Sequence, residues 1–430
     1  MESLVQHLSA RWSLGPWGQE LLAAAAILLV AALVFVVALT YAGIITWVER
    51  RVAGRTQSRV GPNRVGPFGF LQWLADGAKM ILKEDVIPAQ ADGPMFRLAP
   101  YACMLGVFTA FVSVPFGQLL IAADLNVGIL FLLAITSLVV VGVLMAGWAS
   151  NNKWSLLGGV RSAAQIVSYE LPAGLAVLVV VLGAGSLSMQ DIVRAQGGAP
   201  WNWFVFRDPF CLVAFFLYFT AAVAEGNRTP FDLPEAESEL VAGYNTEYSG
   251  IRFGGFFLGE FANIYLLSAI ATSLFLGGWQ VPGVSPAEQA GSVWLQLLGF
   301  AIFFAKAWAL VFVVVWLRWT LPRLRVDQLM GLCYRYLIPL AFACLLGTSL
   351  LLLAVVPGSA LDLGLRLGTT GLGALGGALF AWRVAHHIRR AGDRVSLDVL
   401  QRGARGAFDP AWQTRRYGAF RKAARGQEER

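Results

Sequence analysis

The sequence predicts an all-α, polytopic integral membrane protein with eight core transmembrane helices, a ninth C-terminal helix and one interfacial amphipathic helix after the first span. Three observations predict it. The 430 residues are 57% hydrophobic and only 14% charged, whereas soluble domains are roughly half apolar and about a quarter charged. Apolar runs of about 20 residues, enough to cross a hydrocarbon core of ~30 Å, recur along the chain. The short alternating segments of a lipid-facing β-barrel are missing.

The runs place spans at 21–47, 99–120, 127–149, 163–183, 209–225, 255–278, 293–317 and 336–356, with a weaker one at 364–385. No cleavable signal peptide is expected, because the first run exceeds a signal h-region and ends in Trp47-Val48-Glu49-Arg50-Arg51 without small residues for cleavage. The Lys/Arg bias of the connections sets orientation. Connection 48–98 carries Arg50, Arg51, Arg55, Arg59, Arg64, Lys79, Lys83 and Arg97, and connection 318–335 carries Arg318, Arg323, Arg325 and Arg335. The connections at 121–126 and 279–292 carry none, while Arg194 and Arg207 run against the trend. The N-terminus is therefore expected outside and the acidic connection 226–254 in the cytoplasm. From Arg383 onward the tail holds twelve Lys/Arg, which favours a cytoplasmic C-terminus and hence a crossing by the ninth segment. A surface-lying hairpin is the alternative. Its glycines, including Gly371, Gly373, Gly376 and Gly377, suit close helix packing. The chain thus divides into a membrane domain, 1–360, and an extra helix with a basic tail, 361–430.

Residues 68–83 follow the first span as an amphipathic helix. Gln72, Asp76, Lys79 and Lys83 form one polar stripe, and Phe70, Leu71, Trp73, Leu74, Ala78, Ile81 and Leu82 fill the other faces. Such a segment lies in the membrane interface. The preceding Arg59-Val60-Gly61-Pro62-Asn63-Arg64-Val65-Gly66-Pro67 is a shaped loop punctuated by Gly and Pro.

Four ionisable residues fall where lipid should be: Glu170 within the fourth span, Glu225 ending the fifth, Glu260 beginning the sixth, and Lys306 central in the seventh. A charge at mid-bilayer costs ~2.5–3.5 kcal/mol or more, so such residues face protein or water and carry function. A proton relay is the reading that suits them. The competing readings are snorkelling to the interface for Glu225 and Glu260, and an ion pair with a carboxylate for Lys306. The connection after the fifth span is also unusual, with Glu225, Asp232, Glu235, Glu237, Glu239 and Glu247 in 23 positions and Arg228 the only basic residue among them. Acidic clusters are commonly solvated loops. This one also holds Phe231, Leu233, Leu240, Val241, Tyr244, Tyr248, Pro230 and Pro234, so it is expected to be buried, with Arg228 as local counter-charge.

The four cysteines (Cys103, Cys211, Cys333, Cys344) form no CxxC pair, and the histidines (His7, His386, His387) lie near the ends. Neither an iron–sulfur or zinc site nor a haem ligated inside the helices can be built from them. No metal site is expected.

Glu225-Gly226-Asn227-Arg228-Thr229-Pro230-Phe231-Asp232-Leu233-Pro234 and its continuation to Tyr248 resemble the signature loop of one family of respiratory complex I, the H subunit (subunit 1) of NADH–quinone oxidoreductase. The loop 59–67, Gly147-Trp148-Ala149-Ser150-Asn151-Asn152-Lys153, Arg161-Ser162-Ala163-Ala164-Gln165, Ser168-Tyr169-Glu170 and Leu321-Pro322-Arg323-Leu324-Arg325 resemble further motifs of that family, in its order. The region 360–430 departs from the family's eight-helix pattern. The resemblance implies a membrane-arm subunit of a bacterial inner membrane, without its own redox cofactor and without nucleic acid. Quinone, either ubiquinone or menaquinone, is the implied substrate. FMN and iron–sulfur clusters are implied only in partners, the peripheral-arm iron–sulfur and 49-kDa-type subunits, alongside small membrane-arm subunits. It implies that Glu49, Arg50, Arg59, Arg228, Asp232, Glu235, Glu237, Glu239 and Glu247 belong to the quinone chamber and its mouth. Glu170, Glu225, Glu260 and Lys306 fall in the proton path, with Glu225 at the junction. A related hydrogenase-type subunit and a stand-alone ion-coupled transporter are the alternatives, the latter without the half-to-half repeats common in that class.

Overall fold

The computed structural model describes residues 16–233, 237–355 and 359–392. Among these, the regular structure is entirely helical. Helix α1, Pro16–Thr56, continues past the expected end at 47. The charges that end its apolar run, Glu49, Arg50, Arg51 and Arg55, are good helix formers, and polarity alone does not stop a helix. Residues 59–66 then fold back, and Arg51 Nη2 donates to the carbonyl of Phe68 at 2.8 Å. The expected amphipathic helix is α2, Gln72–Leu82. Its Leu74, Ile81 and Leu82 are exposed, as is Leu71 at its N-cap, and Gln72 donates to Asp76 along the polar stripe.

Helix α3, Gly93–Ala110, begins earlier than expected because the Asp92 side chain caps the Met95 N–H, and a short 3-10 turn, Phe111–Ser113, ends it. The expected third span is two helices, α4 (Gly128–Thr136) and α5 (Leu138–Ala149). They part at Ser137, whose hydroxyl donates back to the carbonyl of Ala134. Helix α6, Lys153–Ala184, starts ten residues before the expected 163, because Asn152 accepts from the Trp154 N–H. Helix α7, Pro209–Glu225, is capped by Asp208. Helices α8 (Gly250–Phe275) and α9 (Val293–Thr320) match the next two spans closely.

The connection expected over 318–335 is partly helical. Helix α10, Val326–Leu332, runs through a π-helical turn, Cys333–Leu337, into α11, Ile338–Ala354. The turn packs on α6, where Tyr334 Oη lies 3.1 Å from Ser168 Oγ and Tyr169 Oη donates to the carbonyl of Leu329 at 3.0 Å. Among the described residues, seven stretches are long and apolar enough to cross a membrane: 24–56, 93–113, 128–149, 153–184, 250–275, 293–320 and 326–354. Helix α7 is a shorter apolar one. The last helix, α12, Ala360–Gly392, covers the expected ninth segment but is not among the seven.

The described residues up to Thr369 form one compact unit, and those from Thr370 onward, the continuation of α12, a second. Within the first unit, α8 packs against α1, α3, α7 and α9. It is the buried axis, with 78% of its most apolar stretch inside the protein against 17% for α1. Both ends of that axis matter for the site: one meets the acidic loop, and the other turns at Gly277–Gly278.

Candidate functional site

The site is built where α7 ends. Asn227 takes a left-handed backbone, φ 49°, which Asn tolerates better than most residues. Gln165 of α6 pins both arms of this turn. Its Nε2 donates to the carbonyls of Ala224 and Phe231, each at 2.7 Å, and to Asn227 Oδ1 at 3.2 Å. The effect is to turn Arg228, only 3% exposed, into the helix bundle.

There its guanidinium meets two helical carboxylates. Arg228 Nη1 lies 4.0 Å from Glu49 Oε2 of α1, and Nη2 lies 3.9 Å from Glu260 Oε2 of α8. The Phe261 ring stacks against it at 4.2 Å. Glu49 is also paired with Arg318 of α9, and Glu260 accepts from Tyr244 Oη at 2.7 Å. The result is an alternating row, Arg318–Glu49–Arg228–Glu260–Tyr244, that ties three helices to the loop. Each buried charge in it has an opposite charge or a hydrogen bond, which buried ions need.

Glu260 leads on to the other carboxylates. A cavity of about 20 Å³ is lined by Glu225, Asn227, Tyr244, Glu260, Asn263 and Cys103, among others. That is room for about one water molecule between two carboxylate-bearing helices. Glu225 is within electrostatic reach of Glu170 on α6, and Glu170 Oε1 is buried without a hydrogen-bond partner among the described residues. Glu170, Glu225 and Glu260 therefore form a series, with the arginine row at its end. Glu260 lies about three turns inside α8 instead of at its start, and its partners hold it inside the protein. Snorkelling does not describe it.

The apolar part of the acidic loop is buried as expected, largely against its own chain, except Val241, which is 60% exposed. Phe231, Leu233, Leu240, Tyr244 and Tyr248 are all buried. Tyr248 stacks on Phe96 with ring centroids 4.0 Å apart. The loop lies so close to α6 that a Cβ on Gly158 would meet the Gly243 backbone at 2.6 Å. Its counter-charges differ from the expectation. Arg228 lies against Glu49 and Glu260 on the helices, while Arg323 donates to Asp232 at 3.3 Å and Arg161 to Glu239 at 2.8 Å. Glu247 accepts from Asn152 at 2.6 Å. Glu235 lies outside the described residues, and Glu237 opens a short helix, Glu237–Leu240.

Glu49, Arg50 and Arg59, all expected at the quinone chamber or its mouth, have different partners. Glu49 points into the arginine row, Arg50 pairs with Asp76 of α2, and Arg59 is exposed and donates to Gln57. Lys306 stands apart too. Among the described residues it forms no ion pair with a carboxylate. Its ammonium instead donates to the carbonyls of Leu276 and Gly278 beyond the end of α8. Arg318 and Tyr244 are site residues that the sequence did not single out.

Comparison with known proteins fits this geometry. The NADH dehydrogenase family matches residues 28–349. The chain is 54% identical over 368 residues to the NADH-quinone oxidoreductase H subunit of Anaeromyxobacter dehalogenans (strain 2CP-C), covering 83% of this chain and 89% of that protein. It is 47% identical over 344 residues to the protein of the same name from Chlorobium luteolum (78% and 90% covered). With that from Chlorobaculum tepidum it shares 46% over 347 residues (79% and 94%). The transporter and hydrogenase-type alternatives give way to these matches. This multi-pass membrane chain belongs to the H-subunit family of NADH-quinone oxidoreductase, respiratory complex I.

Proposed function

We propose that this subunit forms the membrane side of the quinone chamber and carries the carboxylates that couple quinone reduction to proton translocation. The observation that carries the reading is the series Glu170, Glu225, Glu260, Arg228, Glu49, Arg318, which links carboxylates on the helices to the acidic loop. Quinone, ubiquinone or menaquinone, is the substrate, and electrons reach it from partner subunits that carry FMN and iron–sulfur clusters. The peripheral iron–sulfur and 49-kDa-type subunits close the chamber over the loop, and small membrane-arm subunits flank the bundle.

Reduction of a quinone to quinol takes up two protons, and an anionic intermediate near the loop changes the field on its carboxylates. Asp232, Glu235, Glu237, Glu239 and Glu247 border that charge. Interacting carboxylates titrate as a group, so a change at the loop is felt at Glu260 through Tyr244 and Arg228. Helix α2, with Arg50 against Asp76, borders the route by which quinone enters, and Arg59 lies on the surface facing the partner subunits.

The chamber is tested at Asp232. Asp232→Asn removes the charge that faces Arg323, and the apparent KM for a short-chain quinone is expected to rise, with the amount of assembled complex unchanged. A wild-type steady-state profile would take the loop out of the chamber.

The orientation belongs to the same proposal: a bacterial inner membrane, N-terminus outside, loop and C-terminus cytoplasmic. Helix α12 is 33 residues long, about 50 Å, which is sufficient to cross. A fluorescent reporter that matures only in the cytoplasm, fused after Arg430, is expected to light up. A dark reporter in a stably expressed fusion would leave eight crossings.

A further inference from the structure

We infer that Lys306 is a fixed cap on the end of α8 remote from the acidic loop, a positioning residue that holds Glu260 in register and carries no proton during turnover. The inference rests on the carboxylate-path reading, from which it removes one member.

A helix leaves its last carbonyls without intrahelical partners, and its C-terminal end carries partial negative charge. At the end of α8 several of those groups have partners. Thr272 O accepts from the N–H groups of Leu276 and Gly278, at 3.1 and 2.9 Å, and Ser273 O accepts from Gln196 Nε2 at 2.9 Å. The chain then turns at Gly277 and Gly278, with φ 75° and 50°, values that glycine adopts without strain. This turn brings the carbonyls of Leu276 and Gly278 together. Lys306, reaching across from α9, donates to them at 2.6 and 3.2 Å, and the Trp203 ring lies 4.0 Å from its nitrogen.

An ammonium has three N–H donors and no acceptor. Among the described residues, two carbonyls and one aromatic face lie against it, and neither kind of group takes up a proton. A relay member needs an acceptor that does. The cap also has a consequence along the helix. Glu260 is sixteen residues before Leu276 on the same rod, so fixing that end sets the height of the carboxylate along the helix. Glu260 must meet Tyr244 Oη at 2.7 Å, and a small axial slip would break that contact.

Arginine separates the two roles, because it donates to carbonyls and stacks on aromatic rings but does not give up a proton in proteins. The experiment compares Lys306→Met and Lys306→Arg in the assembled complex, in proteoliposomes, reading protons pumped per NADH oxidised and the thermal midpoint. The cap predicts that Lys306→Met lowers the midpoint and cuts the pumping ratio severalfold, and that Lys306→Arg restores both. A Lys306→Arg complex that is assembled and stable yet pumps as poorly as Lys306→Met would make Lys306 a proton carrier. A normal ratio in Lys306→Met would remove the positioning role. If arginine is too large for assembly, Lys306→Gln carries the same test, since it keeps an amide donor and has no ionisable proton. The path itself is judged separately on Glu225→Gln, so its failure is not confused with failure of the cap.

Discussion

Replacing Arg228 with Met is expected to destabilise the protein by about 3–5 kcal/mol, the usual cost of removing one partner from a buried charge pair. Arg228 is 3% exposed and lies between Glu49 and Glu260. Met follows the arginine stem and packs on Phe261, so the loss is electrostatic and not a cavity. Glu49 keeps its close pair with Arg318, whereas Glu260 loses the Arg228 ion pair and keeps the hydrogen bond from Tyr244. The damage should therefore be larger at Glu260. A double variant, Arg228→Met with Glu260→Gln, is expected to recover part of the stability, because the carboxylate that faced the arginine is then neutral. The measurement is the amount and thermal midpoint of assembled complex in membranes. Wild-type stability in Arg228→Met would show that the arginine row does not hold the helices.

The second large effect is at Glu225. It is the last residue of α7, it borders the cavity shared with Glu260, and it is the carboxylate in reach of Glu170. Glu225→Gln keeps the size and hydrogen-bonding capacity of the side chain and removes only its ability to take up and release a proton. Losing a positioned proton carrier slows the dependent step by roughly a hundredfold or more, so proton translocation should nearly cease. The complex should still assemble, since Glu225 forms no ion pair among the described residues that the change would break.

Much of the site was legible in the sequence, and the reason is cost. A carboxylate inside an apolar run is expensive, so Glu170, Glu225 and Glu260 stand out with no structure at hand. The aromatics of the loop likewise announced burial. The arginine row was not legible. Glu49, Arg228, Glu260 and Arg318 come from four distant segments, and only packing joins them. Arg318 read as one more basic residue of a cytoplasmic connection, because a positive charge at a helix end serves topology equally well.

Helix limits failed for a related reason. Hydropathy marks where apolar residues stop, but caps mark where helices start. Asn152 and Asp92 begin α6 and α3 several residues outside their apolar runs. The charged end of α1 is helical because nothing in it breaks a helix, and this extension puts Glu49 within reach of Arg228. Lys306 shows the converse limit. Its position in an apolar span correctly marked it as unusual, but backbone carbonyls satisfied it, and carbonyls leave no trace in side-chain patterns.

The coupling role of the carboxylate series is tested most directly by the number of protons pumped per NADH oxidised by Glu225→Gln complex in sealed vesicles, measured beside quinone reduction in the same preparation. Pumping should fall to a small residue while the complex remains assembled. Pumping and quinone reduction both at wild-type levels would contradict that role.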